Sequence, residues 1–196
     1  DDLKAIATWR LQATQGSGDQ DAFAAAIEDF LAKGYAEPEN VGAMHRQLAA
    51  HYSTKKDSAR TLEHFQKFVD ATPDVEPDEY ETLGRLHLQA NQFAEACQNL
   101  GKAIDLAKSR SSKPKEMWFQ LRDRCYIEMK DDASRLANLE ALVGEYPDKE
   151  YYSRIVAIYQ AQSNDDRTVM LNAYRLAVSD PAGGLATVGA YLNYAD

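Results

Sequence analysis

No stretch of this chain approaches the roughly 20 consecutive apolar residues that a membrane span requires. Cysteine is scarce, only Cys97 and Cys125, and the two form no paired CxxC motif. The ten glycines are scattered. They build no Gly-rich phosphate loop and no GxSxG elbow, and the four histidines form no HExxH. The compact catalytic and metal motifs are thereby excluded, and no catalytic residue, cofactor or metal is expected; only a dispersed site would escape this reading. Basic charge is also short. With 22 Lys and Arg against 31 Asp and Glu, the formal net charge is −9. No helix carries the basic surface that phosphate recognition needs, which excludes a nucleic-acid binder. The one basic run, Lys108, Arg110, Lys113 and Lys115, is interleaved with Ser109, Ser111, Ser112 and Pro114 and reads as a solvated connection. Asp1 follows neither an initiating Met nor a charged-then-apolar leader, so a mature exported product or an excised piece of a longer chain is expected, the latter favoured by an unpartnered last helix.

What the chain does have is helical period. Tyr80, Leu83, Gly84 and His87 fall at i, i+3, i+4 and i+7, one face of a helix. Asn91 and Gln92 mark a turn, after which Phe93, Ala96, Leu100, Ala103 and Ile104 give a second apolar face. The two faces are expected to bury each other. Glycine inside a helix costs about 1 kcal/mol relative to alanine, so Gly84 points to a close neighbour, with Ala96 the small partner.

The pattern recurs. One repeat length upstream, His45, Leu48, Ala49, Tyr52, Thr61, Phe65, Phe68 and Pro73 occupy the same offsets. Downstream come Trp118, Leu121 and Cys125, then Leu136, Leu139, Leu142 and Pro147 after a turn expected to be one residue longer. A fourth copy starts with Tyr152, Ile155, Val156 and Tyr159 and continues with Val169, Met170, Ala173 and Tyr174. Leu185, Val188, Gly189 and Leu192 repeat the first-helix signature once more.

These offsets resemble the tetratricopeptide repeat (TPR), an aromatic, Leu-Gly, Tyr, a later Ala and Phe and a closing Pro in about 34 residues. In the central copy His87 stands where the pattern has Tyr, and Lys108 where it has Pro. From Trp118 onward, CYIEM, LEALVGEYPDKEYY and AYRLAV look most like bacterial members, many of them exported, which places the periplasm slightly ahead of the cytoplasm. The resemblance implies an all-α fold, a right-handed superhelical array of antiparallel helix pairs, in one domain over 1–196. Its parts are a divergent pair or cap at 1–34, repeats at 42–75, 77–113, 115–148 and 149–180, and a further or capping helix at 182–196. In the first pair, Leu3, Ile6, Ala7 and Arg10 hold the repeat spacing with Trp9 and Leu11 nearby. Asp19 or Asp21 caps a second helix bearing Phe23, Ala26, Ile27, Phe30 and Leu31, Gly34 ends it, and Pro38 opens the next connection.

His45 and His87 fall on buried or half-buried faces and read as structural histidines. Cys97 and Cys125 lie in adjacent helices at small apolar positions. Buried free thiols are the favoured reading, and a disulfide the alternative.

Members of the family are generally adaptors that hold a peptide or partner helix in a concave groove. The resemblance therefore implies a non-catalytic scaffold for a protein or peptide partner. Some members clamp a C-terminal carboxylate with Lys and Asn. Arg46, Ala50, Glu81, Arg85, Phe119 and Asp123 stand at the corresponding positions, so that clamp is not reproduced. The groove positions are Arg46, Glu81, Arg85, Leu88, Phe119, Asp123 and Tyr126. Phe119, Asp123 and Tyr126 lie about 100° or more from the hairpin face, and Phe119 and Tyr126 are open either to a partner or to packing on a neighbouring helix. Self-association into a homo-oligomer is the alternative function, and the targeting region of a longer enzyme a third.

Overall fold

The computed structural model describes residues 2–162. The helices expected around Val169 to Tyr174 and Leu185 to Leu192 lie outside them. Among the described residues every regular element is an α-helix, and none is a strand. In chain order these are α1 (Asp2–Ser17), α2 (Gln20–Ala32), α3 (Pro38–Thr54), α4 (Ser58–Asp70), α5 (Pro77–Gln89), α6 (Phe93–Ser109), α7 (Glu116–Met129), α8 (Asp132–Glu145) and α9 (Lys149–Gln162).

Local chemistry sets the boundaries. Asp19, Asp57 and Asp131 cap α2, α4 and α8, each side chain accepting a first-turn backbone N–H. Gly34, at φ +66°, supplies the left-handed residue after α2. Pro38 and Pro77 stand at the first positions of α3 and α5, where a missing N–H costs no hydrogen bond. Pro38 thus begins a helix instead of the connection the sequence suggested.

The first helix of each later pair is followed by one left-handed residue, Lys56, Asn91 or Lys130, at φ 60°, 57° and 56°. The turn after α7 is therefore not longer. The extra residue is taken up in α7, whose 14 residues exceed the 13 of α5.

The chain divides into two compact units, Asp1–Gln92 and Phe93–Asp196. In the first, α1 to α5 pack each on the next. Ala24, Ile27, Leu48 and Tyr52 form one cluster, backed by Leu11, Phe23, Leu31 and Met44. Phe68, Val69, Val75 and Leu83 form another, backed by Leu62, Phe65 and Tyr80. At Gly42 a Cβ would lie 2.6 Å from Thr72 Oγ1, just after α4, so a larger residue there would have to displace that hydroxyl. In the second unit α6 to α9 pack in sequence. Its core includes Ala96, Leu100, Ala103, Ile104, Trp118, Cys125, Leu139, Leu142, Tyr152, Ile155 and Val156. Fully burying a side chain the size of Leu or Ile stabilises by about 1.5–3 kcal/mol before chain entropy opposes it.

The repeat register names the buried faces of α3 to α9 well. It fails at α1, where Leu3, Ile6 and Trp9 are exposed and the inward face is Ala7, Thr8, Leu11 and Thr14. Gly84 and Ala96 are both buried, in the first and second units respectively.

Candidate functional site

The seven groove positions divide between the two units. In the first, Arg46 on α3 and Glu81, Arg85 and Leu88 on α5 come from neighbouring first helices of the array. The Arg46 guanidinium lies 3.3 Å from Glu79 Oε1 and over the Phe68 ring, while its side chain stays 63% exposed. Arg85 Nε donates to Glu81 Oε1 at 2.9 Å. Leu88 is half-buried. In these pairs the Arg46 and Arg85 side chains are 63% and 43% exposed, while Glu79 and Glu81 are only 17% and 12% exposed.

In the second unit two of the three positions are enclosed. Phe119 is 1% exposed and Asp123 2%. Asn138 Nδ2 donates to the Phe119 carbonyl at 2.9 Å. The Asp123 carboxylate accepts from Arg135 Nε of α8 at 2.8 Å and Arg154 Nη1 of α9 at 3.3 Å. Phe119 and Asp123 are thus held by α8, the partner helix of the same pair, and Asp123 also by Arg154 of α9, so the packing alternative describes Phe119, with Asp123 enclosed beside it. Tyr126 remains half-buried, its hydroxyl accepting from Arg122 Nη2 at 2.8 Å.

A recess that sequence reasoning missed lies among α1, α2 and α3. Leu11, Phe23, Ile27, Ala43 and Met44 form its apolar wall, and Gln15, Asn40 and Gln47 bring amides to it. Its volume is about 200 Å³. The missing signal was the true inward face of α1; with Leu3 and Ile6 assigned inward, Leu11 and Gln15 could not be placed on a shared wall with α3.

Beside this recess α2, α3 and α4 enclose a polar cluster. His45 Nδ1 and His64 Nδ1 lie 3.1 Å apart, so one neutral ring donates to the other. The Tyr52 hydroxyl donates to Glu28 and accepts from Arg60 Nη1 at 2.8 Å. Burial, and then the hydrogen bond to Glu28, push the Tyr52 hydroxyl up. Among the described residues no group of three or more His, Cys, Asp or Glu side chains is arranged to hold a metal ion.

Consecutive helix pairs, each turned by one left-handed residue and three of them capped by aspartate, define an α-helical hairpin array. The fold is the tetratricopeptide-repeat fold. Among solved structures, the chain is similar to MamA (TM-score 0.50, 18% identity, covering 94% of this chain and 97% of that one). It is similar to YrrB, described as a TPR protein with an unusual peptide-binding site (TM-score 0.52, 13% identity, covering 90% and 87%). It also resembles the N-terminal domain of stress-induced protein-1 from C. elegans (TM-score 0.51, 14% identity, covering 63% and 98%). No family model and no curated protein matches the chain. No helix among the described residues is long and apolar enough to cross a membrane.

Proposed function

We propose that this protein is a non-catalytic scaffold that holds a peptide or partner segment against the first helices of its array. The observation that carries this reading is the recess among α1, α2 and α3, an apolar wall with three side-chain amides. Apolar anchors entering such a wall supply the buried area, and amide hydrogen bonds fix their register. Arg46, Glu81, Arg85 and Leu88 extend the surface with mixed charge in the same unit, and Tyr126 is the accessible member in the other. YrrB, whose description names a peptide-binding site, has the same fold and supports the reading by analogy.

Selection of displayed peptides against the protein, followed by calorimetry, tests it. Ala43 is exposed on the recess wall, so Ala43→Arg fills the recess and leaves the core intact. Binding should weaken at least about tenfold, the equivalent of about 1.4 kcal/mol, with helicity unchanged. Selected peptides that bind Ala43→Arg as tightly as the parent would overturn the assignment.

A second reading, self-association, is favoured by the exposed apolar side chains of Leu3, Ile6 and Trp9 on α1, which are 72%, 57% and 69% exposed.

A further inference from the structure

We propose that the recess among α1, α2 and α3 receives one uncharged apolar side chain, the size of leucine, methionine or phenylalanine, from an extended segment of a partner protein whose main chain pairs with the amides at the rim. The proposal rests on the reading of this recess as the peptide site and names what the peptide carries there.

Size is the first constraint on the occupant. The recess has a volume of about 200 Å³. An apolar cavity of about 150 Å³ holds one benzene, so this one has room for a single large side chain and not for two. It also falls below the roughly 300–1,000 Å³ of pockets that take cofactors and drug-sized molecules.

Charge is the second. Although 27% of the chain is Asp, Glu, Lys or Arg, no residue that lines the recess is charged. Ile27 is buried, and Leu11, Phe23 and Met44 are half-buried around it. Charged side chains on the same helices are paired elsewhere, Lys4 with Glu37, Asp21 with Lys55 and Arg46 with Glu79. A carboxylate or ammonium entering here would leave water without meeting an opposite charge, whereas an apolar group loses nothing. Met44, unbranched and adaptable, fits itself to a branched, straight or ring-shaped group.

The rim decides the conformation of the partner. Gln15 of α1 and Asn40 and Gln47 of α3 are exposed, and none of their side-chain amides hydrogen-bonds to another described residue. Each amide carries a donor and an acceptor, the complement of one peptide group. Asn40 and Gln47 are seven residues apart, about 10.5 Å along the helix axis, with Ala43 and Met44 between them. An extended chain covers that distance in about three residues, so with its anchor against Ala43 and Met44 the peptide groups on either side come to the two amides. Gln15 supplies a third from α1. A helical partner has its main-chain groups bonded internally and would leave all three amides unused, which favours the extended segment.

The test uses the full chain and blocked amino acids, the N-acetyl N-methylamides of single residues, each of which is one side chain between two peptide groups. Binding is followed by NMR at the Met44 methyl and the side-chain NH2 groups of Gln15, Asn40 and Gln47. The leucine, methionine and phenylalanine compounds should shift all four signals saturably, with Kd on the order of a millimolar. The glutamate and lysine compounds should bind at least about tenfold more weakly. Asn40→Ala with Gln47→Ala, both at exposed positions, should weaken the leucine compound at least about fivefold with circular dichroism unchanged. Charged compounds that bind beside Met44 as tightly as leucine, apolar compounds that give no saturable shift, or an unchanged affinity in the double variant would each overturn the proposal. None of these results touches the recess as a peptide site, which selected peptides decide through Ala43→Arg; peptides sensitive to that substitution whose dominant residue is charged would keep the site and overturn its proposed occupant.

Discussion

His45 and His64 show at the scale of single residues how packing fixes ionisation. The rings stack at 5.3 Å, and Tyr52 covers the other side of His64 at 5.4 Å. Burial is the main reason both are held below the ordinary histidine range, and for His45 the partner ring and Lys67 add to it. The groups that face them are Glu28 of α2, Tyr52 of α3, and Arg60, Glu63 and Lys67 of α4; Glu28 lies 3.8 Å from His64 Nε2 and, with Glu63, opposes the shift. Since the folded values lie below the unfolded value of about 6.5, the stability this contributes is complete above that pH and is lost as pH falls through the lower folded values. Urea midpoints should therefore fall between pH 7 and 5, and His45→Gln should flatten the fall; midpoints that rise on acidification would contradict the linkage. The half-buried position of His45 was legible from the helix period. Its partner was not, because a register assigns each residue to a face but does not say which residues of the next helix meet it. Phe119 and Asp123 show the same limit, for angle alone cannot tell a groove from a face covered by α8 and α9.

Element boundaries were legible wherever one residue carries the signal, as at Asp19 and Gly34. Crossings between helices were less so. Gly84 drew attention because it stands in the repeat motif; Gly42, three residues before His45, lay outside it, and there the structure shows an atom in the way. Glycine to alanine in a helix ordinarily gains about 0.5–1 kcal/mol. Here the new Cβ would have to displace Thr72 Oγ1, which donates to the Phe68 carbonyl at 2.7 Å, and a forced shift of this kind costs about 1–3 kcal/mol. Gly42→Ala should then destabilise by about 1 kcal/mol in chemical denaturation. In a Thr72→Ala background the obstruction is gone, and the same substitution should become neutral or stabilising. A double-mutant cycle with no coupling would show that α3 and α4 do not meet at this point.

For the molecule as a whole, recurrence made the fold readable: no single copy is specific, but the same offsets at His45, Tyr80, Trp118 and Tyr152 leave few alternatives to stacked helix pairs. The pattern loses force at α1, which among the described residues packs chiefly on α2, so that one of its faces is constrained. In α1, Ala7 and Leu11 turn inward and Leu3, Ile6 and Trp9 are left on the surface. Three exposed apolar residues within two turns form a contiguous strip, and water is ordered out of contact with such a strip when two copies bring theirs together. Light scattering over a concentration series should accordingly give a mass that rises above the 21.9 kDa of one chain. Ile6→Glu with Trp9→Glu places like charges on both facing strips and should return the protein to one chain at every concentration. Neither side chain is part of the core, so circular dichroism should not change. A parent protein that stays monomeric at high concentration would remove self-association as a reading and leave the recess beside α1 as the interaction surface of this unit.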